Sequence, residues 1–237
     1  MLSILYSDDH LVAVDKEPGL LVHRTGLDAG ETRFALQMVR DQLDRHVWPV
    51  HRLDKGTSGV LLFALDADTA RVMGKAFEAG DGLQKTYRAV VRGWPADGGL
   101  IDHALKRMPD DMRHEREEIQ EARTRYRTIE RYELPLPQGK FPTTRCALVE
   151  LEPLTGRRHQ LRRHVKHLSH PIIGDATHGK GQINRDLAAL LGLQRLWLHA
   201  CRLELRHPIS GEAVIVEAPP GPEWDRWRRH GRVVPVG

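Results

Sequence analysis

A polar stretch in the first quarter of the chain combines residue types that could perform chemistry. Residues 51–59 (HRLDKGTSG) contain one carboxylate, Asp54, together with the basic side chains of His51 and Arg52. Two glycines and a Thr-Ser pair predict a turn that tolerates unusual backbone angles. A carboxylate on such a turn, held by a rigid support, would suit nucleophilic or acid/base catalysis. The alternative is a hairpin turn in which Asp54 binds only its own backbone, and the spacing alone does not decide between the two.

Basic residues cluster farther along the chain, in residues 157–167 (RRHQLRRHVKH). This segment holds five Lys or Arg, three His and no acidic residue, in a chain whose net charge is +4. The C-terminal tail repeats the pattern at Arg226, Arg228, Arg229 and Arg232. Clustered positive charge of this kind is typical of surfaces that bind a phosphate backbone. A merely solvated face would give the same pattern.

The histidines of the basic segment suggest a metal site, but their surroundings argue against one. His164 and His167 are neighbours at i, i+3, whereas His159 is a neighbour of neither. No acidic residue lies among them, and the adjacent cations would repel a divalent ion. The chain also lacks a Walker-type phosphate loop, a dinucleotide fingerprint and a Gly-x-Ser-x-Gly elbow. We therefore favour nucleophilic or acid/base chemistry on a nucleic acid, with a metal-dependent nuclease that uses Asp54 as the alternative.

The elements that must position these residues follow from hydrophobic periodicity. Residues 60–65 (VLLFAL) form a continuous apolar run, which predicts a strand buried on both faces directly after the Asp54 loop. Residues 84–92 alternate with period two, which places Lys85 and Tyr87 on the same face of a second strand.

The basic segment is predicted to form a helix that opens at residues 153–156. Leu161, Val165 and Leu168 would face inward at i, i+4 and i+7. Arg158 and Arg162, four residues apart, would share a neighbouring stripe of that helix.

The rest of the chain mixes strands and helices without strict alternation. Strands are predicted at residues 4–6, 11–14, 124–131, 144–152 and 196–200, with a closing hairpin of residues 203–205 and 214–216. Helices are predicted over residues 31–46, after a cap at Asp66 or Asp68, and around residues 187–191. Residues 106–124 are strongly charged and predict an exposed excursion. The expected fold is an α+β domain over residues 1–237 with a mixed, largely antiparallel central sheet flanked by helices.

Composition points to an ordinary globular protein. The chain of 237 residues is 40% hydrophobic and 29% charged, and none of its apolar runs reaches the roughly 18 residues that a membrane helix needs. The first residues have neither a basic start nor a long apolar stretch, so we expect no signal peptide. Cys146 and Cys201 fit no disulfide framework or metal spacing. We expect a cytoplasmic protein that does not enter a membrane.

Several motifs, in order along the chain, resemble those of the RluA-type pseudouridine synthases. Residues 51–54 (HRLD) with residues 57–59 (TSG) resemble the family's signature, residues 85–89 (KTYRA) its second motif and residues 155–162 (TGRRHQLR) its third. Further agreement comes from residues 18–23 (PGLLVH), 170–175 (HPIIGD) and 198–200 (LHA). Each short match alone is weak, but six in register cover nearly the whole chain. The resemblance implies the pseudouridine synthase fold, with an RNA-binding cleft and no cofactor or metal.

Within that family, the details resemble the tRNA pseudouridine synthase C type. The likeness lies in residues 21–24 (LVHR), 141–145 (FPTTR), 162–164 (RRH) and 174–179 (GDATHG), although many relatives have Tyr where this chain has His178. The resemblance implies isomerisation of a uridine in tRNA, at uridine 65, by a monomer without an N-terminal S4 module. The alternatives are a synthase for ribosomal RNA or for both RNAs, and a catalytically silent RNA-binding protein of the same fold.

The resemblance also implies roles for individual residues. Asp54 would be the nucleophile, attacking either the sugar or the base, with Arg162 as its cationic partner; the alternative for Arg162 is a phosphate contact. Tyr87 would pack against the target base and move a proton. RNA would be bound by the basic residues Arg52, Lys85, Arg158 and Arg163, and Arg52 would enter the stack that the flipped uridine leaves. His51 and His199 are expected mainly to pack.

Overall fold

The computed structural model describes residues 1–24, 30–108 and 118–237. The first half contains β1 (Ser3–Ser7), β2 (Leu11–Lys16), α1 (Ala35–Leu43), β3 (Trp48–Pro49), β4 (Ser58–Ala64), α2 (Ala67–Ala79), β5 (Leu83–Arg92), β6 (Gly98–Asp102) and β7 (Leu105–Lys106). The second half contains β8 (Ile119–Gln120), β9 (Arg123–Leu134), β10 (Thr144–Pro153), α3 (Gln160–His167), α4 (Gly181–Leu191), β11 (Leu198–Arg206), β12 (Ala213–Glu217), a 3₁₀ turn (Pro222–Asp225), α5 (Arg226–His230) and β13 (Arg232–Val234).

The described strands form one large sheet in the order β1-β2-β4-β11-β5-β10-β9-β13, with β12 on β11, β3 on β4 and β6 on β9. All of these pairings are antiparallel except that of β4 with β11. The short strands β7 and β8 pair separately. The predicted α+β class with a largely antiparallel sheet is confirmed.

Strand β4 is the predicted strand that is buried on both faces. All seven of its residues are buried. Leu61 and Phe63 pack into a cluster that includes Ala35 and Val39 of α1. The alternate residues Val60, Leu62 and Ala64 pack into a second cluster with Met73 of α2. The continuous apolar run therefore reflects helices or strands packed over both sides of the sheet, and it gives the Asp54 loop a rigid support.

Glycine is required where β4 begins. Gly59 has φ +105°, and a Cβ there would lie 2.2 Å from the carbonyl oxygen of Ala200 on β11. Only a residue without a side chain allows β4 and β11 to approach this closely. The close parallel pairing aligns Ser58 with His199, one strand away from Tyr87 of β5.

The helix boundaries differ in part from the sequence predictions. Asp66 caps α2, because its carboxylate accepts a hydrogen bond from the Thr69 amide at 2.7 Å, so of the two candidate caps the first is correct. Helix α1 is shorter than residues 31–46 and ends at Leu43, before Asp44, whose φ of +50° is left-handed. Helix α4 is longer than expected, and the predicted strands 196–200 and 203–205 are parts of the single strand β11.

The basic helix begins later than predicted, at Gln160 rather than at residues 153–156. Strand β10 continues to Pro153, and His159 then adopts a left-handed conformation with φ +54°. The Gln160 side chain folds back and accepts a hydrogen bond from the Arg157 amide at 3.0 Å. The predicted helical stripe of Arg158 and Arg162 is therefore wrong, because Arg158 lies in the turn before the helix. Leu161 and Val165 are buried as predicted.

Three of the four C-terminal arginines have partners within the fold. Arg228 and Arg232 form ion pairs with Glu130 and Glu133 of β9. Arg226 donates a hydrogen bond to a carbonyl oxygen at the end of α4. Trp227, which lies between Arg226 and Arg228 in the sequence, is fully buried. This tail packs against the edge of the sheet at β9. The sequence prediction, which ended with the hairpin of residues 203–205 and 214–216, did not include it.

The charged excursion begins as a short ribbon of β7 and β8, and residues 109–117 lie outside the described part of the chain. Among the described residues, no helix has both the length and the apolar character that crossing a bilayer requires.

Candidate active site

The Asp54 loop closes through its backbone, which leaves the side chain available. The Thr57 amide donates to the Asp54 carbonyl oxygen at 3.0 Å, so the turn is made by main-chain atoms. The carboxylate reaches across the molecule to Arg162 of α3, with Nη1 of Arg162 2.9 Å from Oδ2 of Asp54. The side chain of Asp54 is 25% exposed, and that of Arg162 is 9% exposed. Asp54 is thus a partly open carboxylate with a fixed cationic partner.

Arg162 is itself held by a second carboxylate, that of Asp175. Nε and Nη2 of Arg162 donate to the two oxygens of Asp175, each at 2.8 Å. Burial lowers the pKa of Arg162, but the hydrogen bonds that it donates to Asp175 and the charge of Asp54 outweigh burial and raise the pKa overall. The guanidinium therefore presents two of its N–H groups to Asp175 and a third to Asp54, the fork geometry that makes arginine suited to such a bridge.

Asp175 was not among the predicted site residues, although it lies in the quoted segment 170–175. Its side chain is fully buried and also accepts hydrogen bonds from the amides of Thr177 at 2.9 Å and His178 at 2.8 Å. Burial raises the pKa of Asp175, yet the hydrogen bonds from Arg162 and these amides bring it below its ordinary value. Asp175 is thus an ionised anchor for Arg162. In the sequence, the only indication of this role is that Asp175 is an acidic residue within a motif. Nothing in the motif indicates that Arg162 is its partner.

Tyr87 and Lys85 lie on the predicted common face of β5 and line the same cavity as Asp54. Burial, followed by the nearby charge of Asp54, raises the pKa of Tyr87, so its hydroxyl is protonated at neutral pH. Burial lowers the pKa of Lys85, whose Nζ lies 5.8 Å from the centre of the Phe77 ring. The cavity thus combines aromatic surface with a carboxylate, a hydroxyl and cations.

Two cavities of about 440 Å³ each meet at Asp54. We call first cavity the one lined by Phe77, Lys85 and Tyr87, and second cavity the one lined by His23, Lys55, Ala176 and Thr177. Six residues line both cavities: Arg52, Leu53, Asp54, Arg158, His159 and Arg162.

The first cavity brings together most of the predicted site residues. Its lining includes Asp54, Tyr87, Arg162, Arg52, Lys85 and Arg158. Arg163, the remaining residue, lies outside this lining and donates from Nη1 to the carbonyl oxygen of Lys106 on β7 at 2.9 Å.

Two histidines form a pair beside Asp54 that sequence reasoning did not assign to the site. Nε2 of His159 lies 3.7 Å from Oδ1 of Asp54, and its Nδ1 lies 3.2 Å from Nε2 of His178. Burial lowers the pKa of His159 to about 4, even though the charge of Asp54 opposes this shift. A neutral imidazole therefore faces the second oxygen of the carboxylate at neutral pH.

Lys16 was also missed. Its side chain is fully buried, and its ammonium donates to the carbonyl oxygens of Glu17, Leu20 and Lys55 at 3.0, 2.7 and 3.2 Å. Burial lowers its pKa to about 7. Because Lys55 follows Asp54, this lysine ties the reactive loop to the end of β2.

His51 and His199 pack within the fold, in agreement with their predicted role. Nε2 of His51 accepts a hydrogen bond from the Leu62 amide at 2.9 Å, and its ring stacks on Phe77. The ring of His199 lies between Ser58 Oγ, 2.8 Å from Nδ1, and the carbonyl oxygen of Ala218, 2.8 Å from Nε2. The ring of His199 thus contacts the start of β4, and the ring of His51 contacts its middle.

The stability of the protein is expected to fall in mild acid because of His51. Burial lowers the pKa of His51 from 6.5 to about 3, so between these values the unfolded chain binds a proton that the folded chain does not. The free energy of unfolding therefore decreases as pH falls below 6.5, and above that pH this residue contributes no pH dependence. By pH 4 the loss should be on the order of 3 kcal/mol larger in the wild type than in His51→Gln, whose amide can still accept from Leu62. Urea denaturation between pH 4 and 8 measures this difference. The prediction is contradicted if the free energy of unfolding depends on pH in the same way in both proteins.

No three described His, Cys, Asp or Glu side chains converge in a way that could hold a metal ion. Cys146 and Cys201 are free thiols.

Comparison with known proteins assigns the chain to a family. The family model described as RNA pseudouridylate synthase matches residues 10–167. The tRNA pseudouridine synthase C of Yersinia pestis is 48% identical over 229 residues, which cover 95% of this chain and 87% of that protein. The protein of the same name from Vibrio vulnificus (strain CMCP6) is 46% identical over 230 residues, covering 95% of this chain and 94% of that protein.

A solved structure shares the fold as well. Human RNA Pseudouridylate Synthase Domain Containing 1 superposes with a TM-score of 0.71 at 27% identity, over 93% of this chain and 84% of that one. The family resemblance indicated by the sequence motifs is confirmed. The protein belongs to the RNA pseudouridylate synthase family.

Proposed function

We propose that this protein isomerises a uridine of tRNA to pseudouridine, with uridine 65 as its target. The observation that carries the proposal is the Asp54–Arg162 pair at the wall of a cavity that Tyr87 also lines. Support for tRNA as the substrate comes from the similar proteins of Yersinia pestis and Vibrio vulnificus, both named tRNA pseudouridine synthase C.

The reaction needs one nucleophile and the transfer of one proton. An oxygen of Asp54 forms a bond to the substrate, at C1′ of the ribose or at the base, and the N1–C1′ bond breaks. The detached base turns, C5 bonds to C1′ and the bond to Asp54 breaks. The proton on C5 leaves and N1 gains one, so substrate and product have the same atoms. Neither a redox partner nor a metal ion is consumed.

Arg162 and Tyr87 have complementary roles in this proposal. Arg162 orients the Asp54 carboxylate through one N–H group while Asp175 fixes the other edge of the guanidinium. Tyr87, protonated and largely buried, packs against the base and relays the C5 proton: its hydroxyl oxygen takes up that proton as its own proton passes to solvent, from which N1 gains one. His159, neutral at pH 7, bounds the other carboxylate oxygen.

We propose that RNA is bound by the cations around the two cavities. Arg52 is exposed on the Asp54 loop and borders both cavities, which suits entry into the stack that the flipped uridine leaves, since a planar guanidinium replaces part of the lost stacking. Lys85 faces the first cavity, and Arg158 borders both. Arg163 would meet the phosphate backbone farther out. The catalytic unit is proposed to be a single domain that acts as a monomer in the cytoplasm.

The proposal is tested by mapping pseudouridine in total RNA from cells with and without this protein. Loss of one pseudouridine at position 65 of tRNA is expected, and purified protein should restore it on a transcript without added metal. Loss of a pseudouridine from ribosomal RNA would identify ribosomal RNA as the substrate, either instead of tRNA or in addition to it. Loss at no position would favour a catalytically silent RNA-binding protein.

Arg163→Glu is expected to weaken tRNA binding and to flatten its salt dependence. Removing one phosphate contact should reduce the slope of log Kd against log salt by about 1. Filter binding between 50 and 200 mM salt is a suitable measurement. Arg206→Glu is a matched control, because Arg206 is likewise an arginine that donates to a backbone carbonyl oxygen, that of Gly211, outside both cavity linings. An unchanged slope for Arg163→Glu would show that Arg163 does not contact a phosphate.

A further inference from the structure

We propose that the second cavity binds the ribose and phosphate of the nucleotide that adjoins the target uridine in the RNA strand. This inference rests on the proposed function, because it assumes that the target uridine enters the first cavity. It assigns a ligand to a cavity that the proposed reaction itself does not use.

The first argument is the position of the second cavity relative to Asp54. Both cavities share Asp54 and Arg162 as part of their walls. The bond that breaks joins the base to C1′, so a uridine that reacts there places its ribose beside Asp54. The strand continues from that ribose, and the second cavity is also lined by Asp54 and Arg162. An adjoining nucleotide is therefore directed into it.

The second argument is charge. The cations Arg52, Lys55 and Arg158 line the second cavity, while its two carboxylates, Asp54 and Asp175, are both bound by Arg162. Asp175 is not exposed, and four N–H groups already donate to it. With Arg162, the lining holds four cations against two carboxylates, and this excess of basic residues suits a phosphodiester.

Lys55 is a cation that a phosphate can recruit at low cost. It forms an ion pair with Glu31 at 2.6 Å, with the two side chains 46% and 39% exposed. Exposed pairs of this kind contribute little to stability. A phosphate that competes with Glu31 for the ammonium would gain a charge-assisted hydrogen bond at the edge of the cavity.

The third argument is the kind of surface. The first cavity contains the rings of Phe77 and Tyr87, which suit a base, whereas the described lining of the second cavity contains no Phe, Tyr or Trp. Thr177 and Ala176 are exposed there, on the turn that follows Asp175. A volume of about 440 Å³ falls within the range of small-molecule sites. Besides aliphatic residues (Leu21, Val22, Leu53 and Leu196), this lining holds basic and small ones, and the absence of a Phe, Tyr or Trp ring from it favours a sugar and phosphate over a stacked base.

The experiment uses RNA minihelices in which one phosphodiester beside the target uridine is replaced by an uncharged methylphosphonate, on the 5′ or the 3′ side. Binding is measured with Asp54→Asn, so that turnover plays no part. We expect one of the two replacements to weaken binding about tenfold, the effect of losing one charge-assisted contact. Lys55→Gln in the same background should weaken binding of unmodified RNA and should remove most of the difference between the two RNAs.

A second variant fills the cavity without changing charge. Ala176→Phe should weaken binding of the unmodified minihelix, whereas Ile209→Phe, which adds the same ring type at an exposed position outside both linings, should not. The inference is overturned if neither methylphosphonate affects binding. It is also overturned if the methylphosphonate effect persists at full size in both Lys55→Gln and Ala176→Phe. Absence of turnover by the wild type on the unmodified minihelix would overturn the proposed function instead, and the binding comparison would still decide the role of the second cavity.

Discussion

Asp54→Asn is expected to abolish isomerisation while the protein still folds and binds tRNA. The amide has nearly the shape of the carboxylate, and its oxygen can still accept the hydrogen bond from Nη1 of Arg162. It is, however, far too weak a nucleophile to form the covalent bond that the proposed reaction requires. Turnover should fall by on the order of 10⁴-fold or more, as for other nucleophile replacements. Release of tritium from tRNA labelled at uridine C5 measures this directly.

The matched control for this substitution is Asp68→Asn. Asp68 lies in the first turn of α2, where its side chain is 89% exposed and pairs with Arg71 at i, i+3. This variant should keep wild-type turnover. Retained turnover in Asp54→Asn, with normal circular dichroism and tRNA affinity in both proteins, would remove Asp54 from the role of nucleophile and return the loop to a structural turn.

Asp175→Asn is expected to reduce both stability and turnover, because it releases Arg162 from one of its two anchors. An asparagine side chain has one acceptor where the carboxylate has two, so it cannot accept from both Nε and Nη2. Arg162 would then be a nearly buried cation held chiefly by Asp54. Breaking a buried pair in this way costs about 3–5 kcal/mol, and a guanidinium free to turn no longer presents Nη1 to Asp54.

Two measurements separate these effects. Urea denaturation gives the change in free energy of unfolding, and single-turnover kinetics at a temperature where the variant remains folded give the chemical step. We expect the single-turnover rate to fall at least tenfold with a much smaller change in tRNA affinity. Asp186→Asn on α4, where Gln182 donates to an exposed carboxylate, controls for the loss of an acidic residue. A wild-type rate in folded Asp175→Asn would show that Arg162 is oriented without this anchor.

Much of the local structure around the site could be predicted from sequence, because it depends on interactions between near neighbours. The apolar run 60–65 predicted a strand with two buried faces, and β4 has them. The cap at Asp66 and the shared face of Lys85 and Tyr87 also follow from local hydrogen bonding and from the period of a strand. The motif resemblance identified the family, and it named Arg162 as a partner of Asp54.

Other features depended on contacts that no local pattern contains. Arg158 lies outside the helix that was expected to contain it. The left-handed conformation of His159 and the hydrogen bond to the Gln160 side chain make α3 begin only at Gln160. The clustering of the tail arginines predicts a phosphate-binding surface, but it does not predict that Arg228 and Arg232 pair with acidic residues of β9, almost 100 residues earlier in the chain. Charge clustering shows that cations are present, but only the fold determines which acidic residues face them.

By itself the sequence determined the family, the Asp54 loop and the strands and helices that support it. The tertiary structure alone decided that Asp175 anchors Arg162, that His159 faces Asp54 and that two cavities meet at this carboxylate. Asp54 and Arg162 are 108 residues apart, in the loop before β4 and in the helix after β10, and the order β4-β11-β5-β10 places both of these strands in one sheet. The period of a strand and the closing of a turn reflect interactions between near neighbours. The order of strands in a sheet follows from burying both of its faces at once, and that order brings the nucleophile to its partners.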